Sequence, residues 1–251
     1  MANGCISSER ILEKLDEYLN KNDYSSAERH LLYWLSEAEA NSDHRTLILM
    51  ANELMGLYRK LGRREEAISF AEKALTKTEE LGIGEQVGAA TTYLNSATVY
   101  KAFGMAERSM PLFEKAKRIY ESSLSENDDR LAGLYNNMAL SLVDLRRFEE
   151  ADVYYKKAIS IMEKAADGAP NIAITYLNMA SASEAEKGLE DGAEIIGEYL
   201  EKARTLLENY EKRDGYYAFV CEKCASVFGY YGHFFYEKEL KERATAIYER
   251  N

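Results

Sequence analysis

The chain is poor in residues that break or cross-link helices: it has two prolines and three cysteines among 251 residues. So few cysteines, and an odd number of them, exclude a disulfide framework and favour a reducing, cytoplasmic setting. No run of apolar residues is long enough to span a bilayer, and no charged segment followed by an apolar one opens the chain. We therefore expect neither a transmembrane helix nor a secretory signal.

Positive charge is also scarce. The sequence has 32 Lys and Arg against 43 Asp and Glu, for a net charge of −11. A nucleic-acid partner needs a positive face, so neither a nucleic acid nor a membrane is expected as partner. An acidic protein accepts a basic partner more easily.

Helix formers are abundant instead. Ala, Leu, Glu and Lys are frequent, and 46% of the residues are hydrophobic. This composition predicts a chain that is helical nearly throughout and large enough to bury a full core.

The chain repeats itself at an interval of 42 residues. Segments that begin at Ala51, Tyr93 and Tyr135 align without a gap, with small or apolar residues at offsets 0, 3, 4 and 7. Each of these stripes is followed by a turn and then by a second apolar stripe. The turn positions are Gly62, Gly104 and Arg146. Such a unit predicts an antiparallel helix pair.

Weaker copies flank these three. One begins at Ile11, with Asn22 in its turn, and two follow from Tyr176 and Cys221. The fifth copy reaches its last alanine four residues late, so we expect an inserted loop around 188–192. Six helix pairs then form one domain over 1–251, with no separate catalytic domain. The approximate repeats are 7–42, 45–83, 86–125, 128–167, 170–211 and 214–251.

The column pattern, with small residues, a turn glycine and alanines early and late in the second helix, resembles the tetratricopeptide repeat. The long period, "YNNMA" in a first helix and "SMPLFEKA" with Pro111 just inside a second one most resemble the kinesin-light-chain type. The resemblance implies an all-α, right-handed α-α superhelix in which the first helices line a concave groove. In this family the groove is the usual binding face.

Three asparagines follow the first column by two residues in successive repeats: Asn95, Asn137 and Asn178. Their amides both donate and accept hydrogen bonds, which suits the backbone of an extended peptide. The resemblance implies the same role, since kinesin light chains and similar bacterial peptide receptors hold peptide backbone with such asparagines. Asn52 and Asn136 are further candidates. The alternative is that these side chains bond neighbouring helices and stabilise the stack.

One helical step from the asparagines lie other residues expected to face the groove: Arg59, Lys60, Thr98, Lys101, Leu140, Ser181 and Glu184. The three basic residues among them could seat a carboxylate or an acidic side chain of a ligand. The alternative is that they are solvated helix charges.

Aromatic residues divide into two groups. Those expected in the packing columns are Tyr58, Tyr93, Tyr100, Tyr135, Tyr155 and Tyr176. Those that crowd the last repeat are Tyr216, Tyr217, Tyr230, Tyr231, Phe234, Phe235 and Tyr236. An exposed share of the second group would be a surface for a partner or for a second copy of the chain.

A C-x-x-C at Cys221 and Cys224 suggests a metal or redox site. Zinc needs four ligands, however, and the remaining candidates are Cys5, at the other end of the chain, and His233. In the repeat register both cysteines fall in packing columns, so we expect buried apolar residues and no metal.

No catalytic constellation accompanies this architecture. His30, His44 and His233 are far apart in the repeat map, and no nucleophile motif, phosphate-binding glycine loop or calcium loop occurs. The sequence therefore predicts a cytoplasmic binding module without cofactor or catalysis that holds an extended peptide. One alternative is a self-assembling scaffold, which could form homo-oligomers through the aromatic-rich C-terminal repeat. Another is a metal or redox protein built on the C-x-x-C.

Overall fold

A computed structural model describes residues 7–250, and within them lie twelve α-helices and no strand. They form two compact units, one ending at Ser123 and one beginning at Leu124. Unit 1 contains α1 (Ser8–Asn20), α2 (Tyr24–Ala40), α3 (His44–Lys60), α4 (Arg64–Glu80), α5 (Val87–Ala102) and α6 (Ala106–Ser123). Unit 2 contains α7 (Asp129–Asp144), α8 (Phe148–Met162), α9 (Ala169–Asp191), α10 (Ala193–Asn209), α11 (Gly215–Tyr230) and α12 (Phe234–Tyr248).

Consecutive helices pack as hairpins, three in each unit, from α1 with α2 to α11 with α12. The predicted all-α fold of about six helix pairs is confirmed over the described residues. Each helix lies in its predicted repeat to within one residue. The assignment of 1–251 as a single domain stays a prediction.

In five of the six hairpins the turn is set by one residue with positive φ. Gly62 has φ 70°, Gly104 has φ 75° and Gly232 has φ 84°, while Asn22 and Arg146 adopt the same conformation at 54° and 58°. In all five turns the next amide donates to the carbonyl five residues back, as Arg63 N does to Tyr58 O at 2.9 Å. This bond closes the first helix and reverses the chain. The predicted turn positions are confirmed.

Small and aromatic residues share the core. Ala67, Ala71 and Ala74 are fully buried along α4, and the absence of larger side chains lets α3 approach closely. In unit 2 the large buried side chains include Tyr155, Tyr217 and Phe228. Five of the six tyrosines expected in packing columns are buried, and Tyr176 is partly buried against the core.

One local expectation is wrong. Pro111 lies in the second turn of α6, because that helix already begins at Ala106, directly after its turn like the other second helices. The extra residues of the fifth repeat lie where the sequence placed them, between a kink at Gly188 (φ 82°, ψ 171°), which interrupts the helical dihedrals of α9, and the start of α10 at Ala193.

Across residues 7–250, none of the helices combines the length and the apolar character needed to cross a membrane.

Candidate functional site

Within each unit, first helices of neighbouring pairs pack against one another. In unit 1, α3 contacts α5, and in unit 2, α9 contacts both α7 and α11. The side chains on this layer form what we call the first-helix face of each unit. It carries the asparagines that the sequence singled out.

In unit 1, Asn52 links the two helices. Its Nδ2 donates to Thr92 Oγ1 at 3.0 Å and to the carbonyl of Ile48 in its own helix at 2.8 Å. Its Oδ1 accepts a hydrogen bond from Asn95 Nδ2 at 2.9 Å. The α3–α5 contact therefore has a polar bridge in which both halves of the Asn52 amide are used.

Unit 2 repeats this bridge between α7 and α9. Asn136 Oδ1 accepts from Asn178 Nδ2 at 3.2 Å and from Thr175 Oγ1 at 3.3 Å. Thr175 is almost fully buried, as Thr92 is in unit 1. Asn137, by contrast, donates to the carbonyl of Gly133 in its own helix at 2.9 Å.

The bridges contain two threonines that sequence reasoning missed, Thr92 and Thr175. A signal was present, because "TYLN" occurs at 92–95 and again at 175–178. In the repeat before each copy, an asparagine stands directly after the first column: Asn52 before the first copy and Asn136 before the second. This asparagine bonds both the Thr and the Asn of the "TYLN" in the next repeat.

These hydrogen bonds join neighbouring helices, as the alternative interpretation of the asparagines predicts. They leave some of the amide oxygen and nitrogen atoms without a partner. Over residues 7–250, no partner is found for Asn95 Oδ1, Asn178 Oδ1, Asn137 Oδ1 or Asn136 Nδ2. A role in holding a peptide stays a prediction, and these are the atoms left for it.

The three basic candidate residues lie at the C-terminal ends of first helices in unit 1. Arg59 and Lys60 occupy the last turn of α3, and Lys101 the last turn of α5, where positive charge complements the helix dipole. Lys60 Nζ lies 4.8 Å from the centroid of the Tyr24 ring. Burial lowers the pKa of Arg59, although its side chain reaches solvent.

An acidic side chain lies on the same layer of unit 1. Glu53, half-buried on α3, has no hydrogen-bond partner among the described residues. Burial, assisted by the negative charge of Asp16, raises the pKa of this carboxyl group. Unit 1 thus has both an acidic and a basic group with incomplete solvation on its first-helix face.

The other candidates have local partners. Thr98 donates to the carbonyl of Leu94 at 2.8 Å, and Ser181 to that of Leu177 at 3.3 Å, each within its own helix. Leu140 is half-buried.

Glu184 is tied to the last repeat. Its carboxylate accepts from Tyr230 Oη at 2.6 Å and from Tyr231 Oη at 2.7 Å. It links α9 to the end of α11 and is not free for a ligand.

The C-x-x-C lies in the core. Cys221 and Cys224 are free and fully buried among the side chains of the unit 2 core. Burial raises the pKa of Cys221 to about 11 and that of Cys224 further still, which suppresses the reactive thiolate. Their predicted placement in the core is confirmed, whereas Cys5 lies outside the described residues.

The three histidines have separate surroundings. His30 Nε2 lies 3.0 Å from the carbonyl of Ile11, and His233 packs edge-on against Phe228. The buried His44 Nδ1 has no partner in the described part of the chain. Between residues 7 and 250 no three His, Cys, Asp or Glu side chains come together as a metal site would require.

Sequence models of the tetratricopeptide repeat match residues 46–122 and 131–167. Protein KINESIN LIGHT CHAIN-RELATED 3 of Arabidopsis thaliana is 25% identical over 142 residues, which are 56% of this chain and 22% of that protein. The chain thus spans about a fifth of the length of this relative.

Two solved structures are similar to the fold. BtubC (BKLC) from P. vanneervenii has a TM-score of 0.66 at 22% identity, over 81% of this chain and 82% of that one. A Podosopora anserina protein of kinesin-light-chain type with nearly identical TPR-like repeats has a TM-score of 0.53 at 16% identity, over 78% and 92% of the two chains.

Proposed function

The chain belongs to the tetratricopeptide-repeat family, with repeats like those of kinesin light chains. From this premise we propose that it binds an extended peptide segment of a partner protein along the first-helix face of a unit. Repeats of this family generally mediate protein interactions. The proposed role is recognition without catalysis.

The observation that carries the proposal is the unused hydrogen-bonding capacity of the asparagines. Asn95, Asn137 and Asn178 each retain an amide oxygen without a partner over residues 7–250, and Asn136 retains an amide nitrogen. An extended peptide presents alternating N–H and C=O groups that match such acceptors and donors, at about 1 kcal/mol net for each bond. The inter-helix bridges hold the amides in fixed orientations, which lowers the entropy lost on binding.

The proposal places the protein in the cytoplasm. Cys221 and Cys224 are free thiols in the core, which suits a reducing compartment. The net charge of −11 favours a partner with basic residues.

Asn137 allows a clean test, because within residues 7–250 its side chain makes one hydrogen bond, to Gly133 in its own helix. A random peptide library displayed on phage is first selected against the purified chain, and the best peptide is synthesised with a fluorophore. Asn137→Ala should weaken its binding about fivefold, the loss of one hydrogen bond, while the unfolding midpoint stays within experimental error.

Two variants serve as controls. Asn52→Ala should reduce both stability and binding, because that side chain joins α3 to α5. Glu201→Ala changes an exposed residue on the second helix α10 and should alter neither. If no peptide is enriched above a column without protein, or if every enriched peptide binds Asn137→Ala as well as the original chain, the proposal is wrong.

A second candidate function is self-assembly, favoured by the aromatic side chains at the α11–α12 turn. Phe235 is 94% exposed, Phe234 68% and Tyr230 66%. So exposed a group of aromatic rings is unusual on a monomer.

A further inference from the structure

Unit 2 contains a cavity of about 470 Å³ beside the Asn136 bridge. It opens between the first halves of α7 and α9, and the connection that runs from Met162 to Gly168 closes one side. Asn136 and Thr175 line it, so it belongs to the first-helix face. Its volume fits one large side chain with adjoining backbone.

A glycine opens this cavity. At Gly133, in the interior of α7, an added Cβ would meet no atom within 4 Å. The same column holds Leu49, Thr91 and Ile174 in the other central repeats. Glycine weakens a helix interior, so the open space is kept at the expense of helix stability.

Charge in the cavity wall is unbalanced. Asp167 bonds Lys212 Nζ at 2.9 Å and Tyr210 Oη at 3.0 Å, so its charge is neutralised. Asp129, in the exposed first turn of α7, has no partner within residues 7–250. Its position at a helix N-terminus stabilises the negative charge.

Another part of the wall is apolar and aromatic. Met162 and Ile174 contribute aliphatic surface, and the Tyr216 ring forms the side provided by α11. That ring is held in place twice, since its hydroxyl donates to Asn171 and its face stacks on Phe219 with centroids 6.2 Å apart. A fixed, partly exposed tyrosine ring attracts a cation.

A cavity wall that combines an unneutralised carboxylate, aliphatic surface and an aromatic ring matches a side chain with a long aliphatic stem and a positive head. We infer that this cavity receives one lysine or arginine side chain of the bound peptide, with the stem against Met162, Ile174 and Tyr216 and the cation at Asp129. The inference rests on the proposed function and adds to it the chemistry of one peptide position. The free Asn136 Nδ2 at the cavity wall is then available to a backbone carbonyl of the same residue.

The test uses small probes, so it does not depend on finding the natural peptide. The side-chain amide signal of Asn136 is followed by two-dimensional ¹H–¹⁵N NMR during titration of the ¹⁵N-labelled chain. The probes are the acetyl amides of arginine and lysine, and the controls are those of norleucine and glutamate. We expect saturable shifts with the two cationic probes at least fivefold tighter than with norleucine, and none with glutamate.

Three variants separate the cavity from general attraction to an acidic protein. Asp129→Asn should weaken the cationic probes at least fivefold and leave norleucine unchanged. Gly133→Leu fills the cavity with the residue type found at Leu49 and should abolish the saturable shifts. Gly56→Leu is the matched control, a helix glycine of unit 1 whose Cβ also meets no atom within 4 Å, and should bind as the original chain does.

Cationic probes that bind no better than norleucine, or that bind Asp129→Asn and Gly133→Leu undiminished, would overturn the inference. Its failure is distinguishable from failure of the proposed function. Selected peptides that lack a basic residue and still bind Gly133→Leu would leave the function standing and the cavity without this role. If the cationic probes bind but no peptide is selected, the cavity binds a cation and the proposed peptide-binding function fails.

Discussion

The hydroxyl of Tyr155 is buried in unit 2 without a hydrogen-bond partner among the described residues. The side chain is 1% exposed, and burial raises its pKa well above the ordinary range. Its column holds Ala71 and Phe113 in the two preceding repeats, so the packing needs an apolar residue here. A buried hydroxyl without a partner lowers stability by about 1–3 kcal/mol.

We therefore expect Tyr155→Phe to stabilise the chain by about 1 kcal/mol, because it keeps the ring and removes the unpaired oxygen. Urea unfolding followed by circular dichroism measures the change. Tyr217→Phe is the matched control, since that equally buried hydroxyl donates to Leu207 O at 3.1 Å and accepts from Arg243 at 3.2 Å. It should destabilise, and a stability loss in Tyr155→Phe as well would show that its hydroxyl has a partner.

Residue-level patterns in the sequence predicted which positions are buried more reliably than what each polar atom contacts. The columns placed Tyr155, Cys221 and Cys224 in the core, where they lie. They could not show that the Tyr155 hydroxyl lacks a partner, because hydrogen bonding depends on atoms that different helices bring together. The same limit applies to Asn95 and Asn178, whose face the pattern predicted but whose partners it did not.

At the scale of helices, the sequence predicted the turns between helices but not which side chains join neighbouring first helices. Left-handed backbone at Gly62 and Gly104 follows from residue type and spacing alone. The bridge from Asn136 to Asn178 joins two columns that differ by one position, and that offset depends on how α7 and α9 cross. The extra residues of the fifth repeat were predicted at the right place, because a glycine with positive φ, Gly188, interrupts the helical dihedrals of α9 there.

One carboxylate links α10 to α12 and gives their contact a pH dependence. Glu208 accepts from Tyr236 Oη at 2.7 Å, and both of its oxygens accept from the Arg243 guanidinium at 2.8 Å. These bonds, that from Arg243 foremost, hold the pKa of the Glu208 carboxyl below its ordinary value of about 4.5. A carboxyl whose pKa falls on folding adds stability above the unfolded value, and this is lost as the pH falls through the folded pKa.

We expect Glu208→Gln to destabilise the α10–α12 contact by about 1 kcal/mol at pH 7, a modest figure because the Glu208 side chain is 39% exposed. The difference from the original chain should shrink as the pH falls below about 4.5, where the unfolded chain protonates this carboxyl, and should vanish as the pH falls through the lower folded pKa. Hydrogen exchange of α12 amides measures it locally, since repeat arrays need not unfold in one step.

Glu198→Gln on the same helix is the control for this experiment. Its partner Lys202 lies 3.8 Å away and both side chains are more than half exposed, so exchange should not change. A Glu208→Gln effect of equal size at pH 7 and pH 3 would contradict the assigned pH dependence.

For the whole molecule, the net charge of −11 gives the two candidate functions opposite responses to salt. Two copies of the chain repel each other, so added salt should strengthen self-association by screening that repulsion. A basic peptide is attracted, so added salt should weaken its binding. The sign of the salt dependence therefore identifies which kind of association is observed.

We expect sedimentation velocity to show weak, concentration-dependent self-association that increases between low and physiological salt. The contact is assigned to Tyr230, Phe234 and Phe235, and Phe235→Asp should abolish it because it places a charge at the most exposed ring. Leu189→Asp, which alters an exposed apolar residue of α9, is the control and should associate as before. A chain that sediments as a monomer at every concentration and salt excludes the self-assembly function. If association weakens with salt, this contact is not the one that forms, because screening then removes an attraction and the surface involved must carry opposite charges.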